Sequence, residues 1–116
     1  MRLYIASRFE NKEWIRNYIR TLPSKYTVVS TWHDLADTED GARLDAARRD
    51  LRELDECDAV VVVTTNCELT PGGLHFEAGY AYARGKKVYR IGNCVNIFYD
   101  LCSESPDYNF YVDSNS

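Results

Sequence analysis

"DAVVVVT", from Asp58 to Thr64, decides the fold. Four consecutive valines leave no polar face, so a strand built from them must be covered on both sides. That is the character of a central strand in a parallel sheet. Parallel neighbours need crossover connections, and the flanking sequence provides them. Upstream, Leu44, Ala47, Leu51 and Leu54 mark one face of a helix, and "RRDLRELDE" supplies its solvated faces. Downstream, "TNCELTPGG" is a loop broken by Pro71, Gly72 and Gly73. A helix follows from about Leu74 to Ala83, stopped by Gly85, and "KKVYRIG" is the next strand.

The same alternation holds toward both ends. "RLYIA" (Arg2 to Ala6) is a first strand, and Trp14, Ile15, Tyr18, Ile19 and Leu22 repeat with helical spacing before Pro23. "YTVVST" (Tyr26 to Thr31) is a β-branched second strand, and "WHDLADTEDGA" is a polar loop. "NIFYDL" reads as a short helical turn and "YNFYV" (Tyr108 to Val112) as a fifth strand. The expected fold is α/β: a single doubly wound (flavodoxin/Rossmann-like) domain over residues 1–116. It has about five mostly parallel strands and helices on both faces. Ligands of such folds bind at the carboxyl ends of the strands, so the loops after Ala6, Thr31, Thr64 and Ile91 carry the chemistry.

Composition narrows the function. A net charge of −4 argues against a nucleic-acid polymer as partner, which requires a basic face. No run approaches the ~18 apolar residues of a membrane helix, so no membrane partner is expected. "MRLYIASRFENKEW" lacks the apolar segment of a signal peptide, which makes the cytoplasm the expected location. The cysteines Cys57, Cys67, Cys94 and Cys102 form no C-x-x-C pair, and His33 and His75 form no ligand pair. No metal and no cofactor are expected, and the thiols are read as reduced.

One carboxylate stands out. Glu77 lies near the start of the helix after the Gly-Gly loop, beside the expected crevice. A helix dipole favours an ionised carboxylate in a first turn, and an ionised carboxylate in a crevice can act as a nucleophile. The plainer alternative is a helix cap or an arginine partner.

Around Glu77 the chain reads "EAGYAYARGKKV", preceded by "RRDLRELDECDAVVVV" with Asp50 and Asp58, and by Tyr4 in the first strand. This arrangement, with Gly72, Gly73, Glu77, Gly79, Ala81, Gly85, Lys86 and Val88, resembles the nucleoside 2-deoxyribosyltransferases and the related 2′-deoxynucleoside 5′-phosphate N-hydrolases. The resemblance covers roughly residues 1 to 92. It implies that Glu77 attacks the anomeric carbon of a small-molecule nucleoside or nucleotide. A covalent glycosyl-enzyme would form, to be resolved by another base or by water. It implies an assisting role for Asp50, whose alternative is a solvated helix position. Tyr4 would position the carboxylate or the sugar, against plain core packing. Ser7, Arg8 and the Gly72–Gly73 backbone are candidates to hold a 5′-phosphate or 5′-hydroxyl. Trp32 would stack on a base or else plug the end of the sheet. His75 would donate to substrate or lie on the surface. Asp58 reads as a turn or cap residue.

Pro71 replaces the Asp or Ser common in relatives, with Thr70 as its nearest substitute, so nucleoside against nucleotide stays open. The resemblance also implies a homo-oligomer, with Asn109 and Asp113 as candidates to complete a neighbour's site. Two other functions suit the same fold: a non-catalytic nucleotide-binding module, and a NAD-cleaving domain, which would need a longer crevice than these short loops offer.

Overall fold

Alternating strands and helices do wind into one sheet. A computed structural model describes residues 1–34, 43–69, 72–92, 94 and 96–104. In chain order the elements are β1 (Arg2–Ala6), α1 (Lys12–Thr21), β2 (Thr27–Val28), α2 (Arg43–Glu56), β3 (Ala59–Val63), α3 (Gly73–Ala83), β4 (Lys87–Ile91) and β5 (Ser103–Glu104). Short 3₁₀ turns lie at Phe9–Asn11, Trp32–Asp34, Cys67–Leu69 and Ile97–Leu101. The strand order is β2-β1-β3-β4-β5, and every pairing is parallel.

The valine run behaves as its composition demands: all five residues of β3 are buried. Residues Leu3 to Ala6 of β1 are buried as well. From β1 the chain crosses to β2 on one side, then returns across to β3 on the other. Right-handed crossovers in opposite directions place α1 on one face of the sheet and α2 on the other. The step from β3 to β4 continues in the second direction, so α3 joins α2, and the two helices pack together. Ile15 and Tyr18 anchor α1, Leu54 anchors α2, and Leu74, Ala78 and Ala81 anchor α3.

The C-terminal ends of α2 and α3 are tied to each other. Asp55 accepts from the Tyr80 hydroxyl at 2.8 Å and pairs with Arg84 at 3.1 Å. Lys86 donates to the carbonyls of Asp55 and Cys57 at 2.8 and 2.7 Å, placing a cation at the negative end of α2. At the same end of the sheet, Asp58 accepts from the Arg2 amide at 2.7 Å, the cap-like role its position suggested.

Both edges depart from expectation. The second strand is only Thr27–Val28, rather than Tyr26 to Thr31. Beyond it the backbone ladder passes to a side chain, because the Ile5 amide donates to Ser30 Oγ at 3.1 Å. The fifth strand is Ser103–Glu104. The segment Tyr108 to Val112, read as that strand, lies outside the described residues, as do Asn109 and Asp113. Cys94 is disulfide-bonded, which corrects the reading of four reduced thiols, while Cys57 and Cys102 are free.

Gly85 ends α3 in the left-handed region, at φ +77°, with open space where a Cβ would stand. The penalty of a side chain there is therefore purely conformational. Gly85→Ala should lower stability by about 1 kcal/mol in urea unfolding, with an unchanged m-value.

Candidate active site

The reversal of strand order between β1 and β3 makes a crevice, because the loops leaving these two strands run to opposite sides. Ser7 and Arg8 leave β1, Thr64 and Thr65 leave β3, and α3 begins beside them at Gly73. Gly72 sits at the N-cap with φ +117°, a backbone state that only glycine adopts without strain.

Helix phase puts Glu77 indoors. Leu74, Ala78 and Ala81 form the buried stripe of α3, and Glu77 shares it by its spacing of three and four residues. From the neighbouring strand, the Tyr4 hydroxyl donates a short hydrogen bond to Glu77 Oε2. Tyr4 is fully buried in the middle of β1. The two residues thus meet across the long sequence separation that a doubly wound sheet closes.

The electrostatics correct one expectation. Glu77 is the fifth residue of α3, past the first turn, and there the dipole does not decide its charge. Burial pushes its carboxyl up to about 8. The Tyr4 hydrogen bond pulls the other way, while the negative charges of Asp50 and Glu53 add to the rise. Burial, with the nearby Glu77, holds the Tyr4 hydroxyl far above its ordinary range, so it remains a protonated donor.

Asp50 is half-buried on α2. Burial raises its carboxyl, against the pull of Arg49, whose guanidinium donates to it at 2.9 Å. Its charge acts on both Tyr4 and Glu77, which brings it into the same site. Glu53 is a member that sequence reading missed. It accepts from the Thr31 amide and hydroxyl at 3.1 and 2.7 Å, tying α2 to the segment that leaves β2. The available signal was its spacing: three residues after Asp50 and next to the core residue Leu54.

The remaining candidates divide. Ser7 is buried at the crevice and its hydroxyl accepts from Asn11 at 2.9 Å. The Arg8 side chain is only 17% exposed and sits 3.6 Å from Glu10. Its Nε is buried with no hydrogen-bond partner. Gly72 and Gly73 open α3, and the Gly72 carbonyl takes the amides of His75 and Phe76 at 3.1 and 3.0 Å. Thr70 lies outside the described residues.

Two aromatic candidates are placed differently from the substrate-facing reading. The Trp32 N–H donates to the Ile5 carbonyl at 2.6 Å, and its ring packs between Phe9 and His33. It is buried there at the end of the sheet, the position of its alternative reading as a plug. His75 is turned about 200° from Glu77 around the helix. Its Nδ1 pairs with the Tyr99 hydroxyl at 2.7 Å. Together with Ala78, Gly79, Tyr82 and Phe98 it lines an apolar cavity of about 380 Å³ on the other flank of α3.

Comparison with known proteins bears on the family and the fold. The family model for nucleoside 2-deoxyribosyltransferase matches residues 3–109. Among solved structures, the 2-deoxyribosyltransferase of the psychrotolerant bacterium Bacillus psychrosaccharolyticus is similar, with 21% identity and a TM-score of 0.67. That match covers 100% of this chain and 92% of the other, and it speaks for the fold. Curated proteins give no match.

The raised carboxyl has a stability consequence. A folded-state value near 8 against an ordinary 4.5 means that the folded chain favours the protonated acid. The stability this contributes is complete below about 4.5 and is lost as pH rises toward and through 8. Glu77→Gln should therefore raise the melting temperature relative to wild type more at pH 8.5 than at pH 5, measured by calorimetry at both.

Proposed function

We propose a reaction for a chain that belongs to the nucleoside 2-deoxyribosyltransferase family and is an enzyme of that kind. It cleaves the N-glycosidic bond of a 2-deoxynucleoside or nucleotide with Glu77 as nucleophile. The deoxyribosyl group then passes to another base or to water. The observation that carries the reading is the Tyr4–Glu77 hydrogen bond at the end of the crevice. A carboxylate aimed at a sugar must keep one oxygen free and correctly turned, and a donor on the other oxygen achieves both.

The steps follow from the residues present. An oxygen of ionised Glu77 forms a bond to the anomeric carbon while the bond to the base nitrogen breaks. The electron pair leaves with the base, whose protonation Asp50 assists. The transition state is oxocarbenium-like, and the carboxylates of Glu77, Asp50 and Glu53 surround the developing positive charge with negative potential. Attack of a second base or of water on the glycosyl ester regenerates Glu77. Tyr4 stays protonated throughout and steadies the carboxylate each time it is released. Arg8, Ser7 and the first amides of α3 form the polar end of the crevice, suited to the 5′ oxygen or phosphate of the sugar.

Among the described residues Glu77 pairs with no cation, which disfavours a purely structural acid in a binding-only module. A homo-oligomer also belongs to this proposal. It is supported by Phe76, Tyr82, Ile97, Phe98 and Leu101, all exposed on α3 and on the 3₁₀ turn after β4.

Chromatography of reactions with deoxynucleosides, deoxynucleotides and NAD, with and without an acceptor base, tests the reading. Free base alone identifies hydrolysis, and a new nucleoside identifies transfer. Glu77→Ala should reduce base release by several orders of magnitude while the circular dichroism spectrum is retained. Full activity in that variant would overturn the proposal.

Asp50→Asn should lower kcat by ~10²-fold or more with a smaller change in KM. The nucleophile must be ionised, so kcat/KM should climb as pH rises toward about 8. Tyr4→Phe removes the one hydrogen bond that lowers this value, so its acid limb should move to higher pH. A profile displaced toward acid would contradict the assigned role of Tyr4.

A further inference from the structure

We propose that Asn11 is a positioning residue that fixes Ser7 as a hydrogen-bond donor, so that the substrate group meeting Ser7 is an acceptor oxygen. The inference rests on the reading above in one respect, that substrate enters this crevice. Its argument is separate. Asn11 Nδ2 donates to the Thr65 carbonyl at 3.1 Å and to Ser7 Oγ at 2.9 Å. A main-chain carbonyl can only accept, so the amide atom facing Thr65 is the nitrogen, and the usual ambiguity of an asparagine side chain is removed. The second hydrogen of the same nitrogen points at Ser7 Oγ, which must therefore accept.

A serine hydroxyl has one proton. With its oxygen accepting from Asn11, that proton is left to be given elsewhere. Ser7 is only 9% exposed, and among the described residues it makes no other hydrogen bond. The Ser7 hydroxyl thus offers a donor, and a ligand that presents an acceptor oxygen satisfies it.

The location gives the bridge its leverage. Ser7 is the first residue beyond β1 and Thr65 the second beyond β3, so Asn11 joins the two loops that diverge at the reversal of strand order. Thr65 precedes Asn66, whose φ of 56° lies in the left-handed region. The bridge holds the Thr65 carbonyl just before that bend and so couples the two loops to each other.

The test uses the whole chain, a 2′-deoxynucleoside and its 5′-monophosphate as probes, and the variants Asn11→Asp, Ser7→Ala and their combination. Base release gives kcat and KM, and calorimetry gives Kd for the same probes. An aspartate at position 11 accepts where the asparagine donated, so the Ser7 proton turns toward it and away from the ligand. Asn11→Asp and Ser7→Ala should each raise KM and Kd ~10-fold or more on the better probe, with a smaller change in kcat. The double variant should be no worse than the worse single one, because both remove the same donor. Unchanged KM and Kd in Asn11→Asp, or losses that add in the double variant, would overturn the inference. If Asn11→Asp melts below the assay temperature, Asn11→Ser replaces it. A single serine hydroxyl cannot serve both acceptors, and the same expectations apply. A wild-type chain that releases no base, yet binds a probe with this Ser7 and Asn11 dependence, would overturn the reaction and support the inference. A chain that binds neither probe would overturn both.

Discussion

A carboxyl group on the inward stripe of a helix has to find a donor, and in this fold Tyr4 is the donor for Glu77. Much of the surrounding arrangement follows from that requirement. Leaving water is unfavourable for a carboxylate unless a partner replaces the lost hydrogen bonds. Tyr4 supplies one from the middle of β1, a strand held between β2 and β3 and buried along nearly its whole length. The phenol therefore has little freedom, and neither does the acid it holds. Precision at the site comes from anchoring both partners on regular elements rather than on loops.

The acid is also crowded. Asp50 and Glu53 on α2 both raise the carboxyl of Glu77, and no cation among the described residues offsets them at Glu77 itself. Arg49 neutralises part of the charge on Asp50, and Glu53 is occupied by Thr31. Such an assembly of like charges opposes folding and favours a cation in its midst. The cost is borne by the stability of the fold.

The central part of the fold was legible in the sequence because burial on both faces leaves a composition that nothing else explains. "AVVVV" is the clearest case, and the helix-spaced leucines of α2 are the next. The edges were less legible. An edge strand has one neighbour, and at β2 a serine hydroxyl takes over the ladder after two residues. Glu77 and Tyr4 could be singled out through their resemblance to a family pattern. The protonation of Glu77 could not, because it depends on the enclosure and on two acids from another helix. The side chains of Trp32 and His75 were assigned by type, whereas their directions are set by a carbonyl of β1 and by the phase of α3. Asn11 and Glu53 went unnoticed because their partners, Thr65 and Thr31, lie far along the chain.

The clasp of Asp55 with Tyr80, Arg84 and the following Lys86 has a mechanical meaning. α2 and α3 run side by side in the same direction, and the clasp joins them at the end remote from the crevice. With one end of each helix held, the farther a side chain lies from the clasp, the more its place depends on the angle between the two axes. Asp50 and Glu53 ride on one helix and Glu77 on the other. The clasp therefore fixes the spacing of the two helices at the foot of the sheet, where each turns back into a strand.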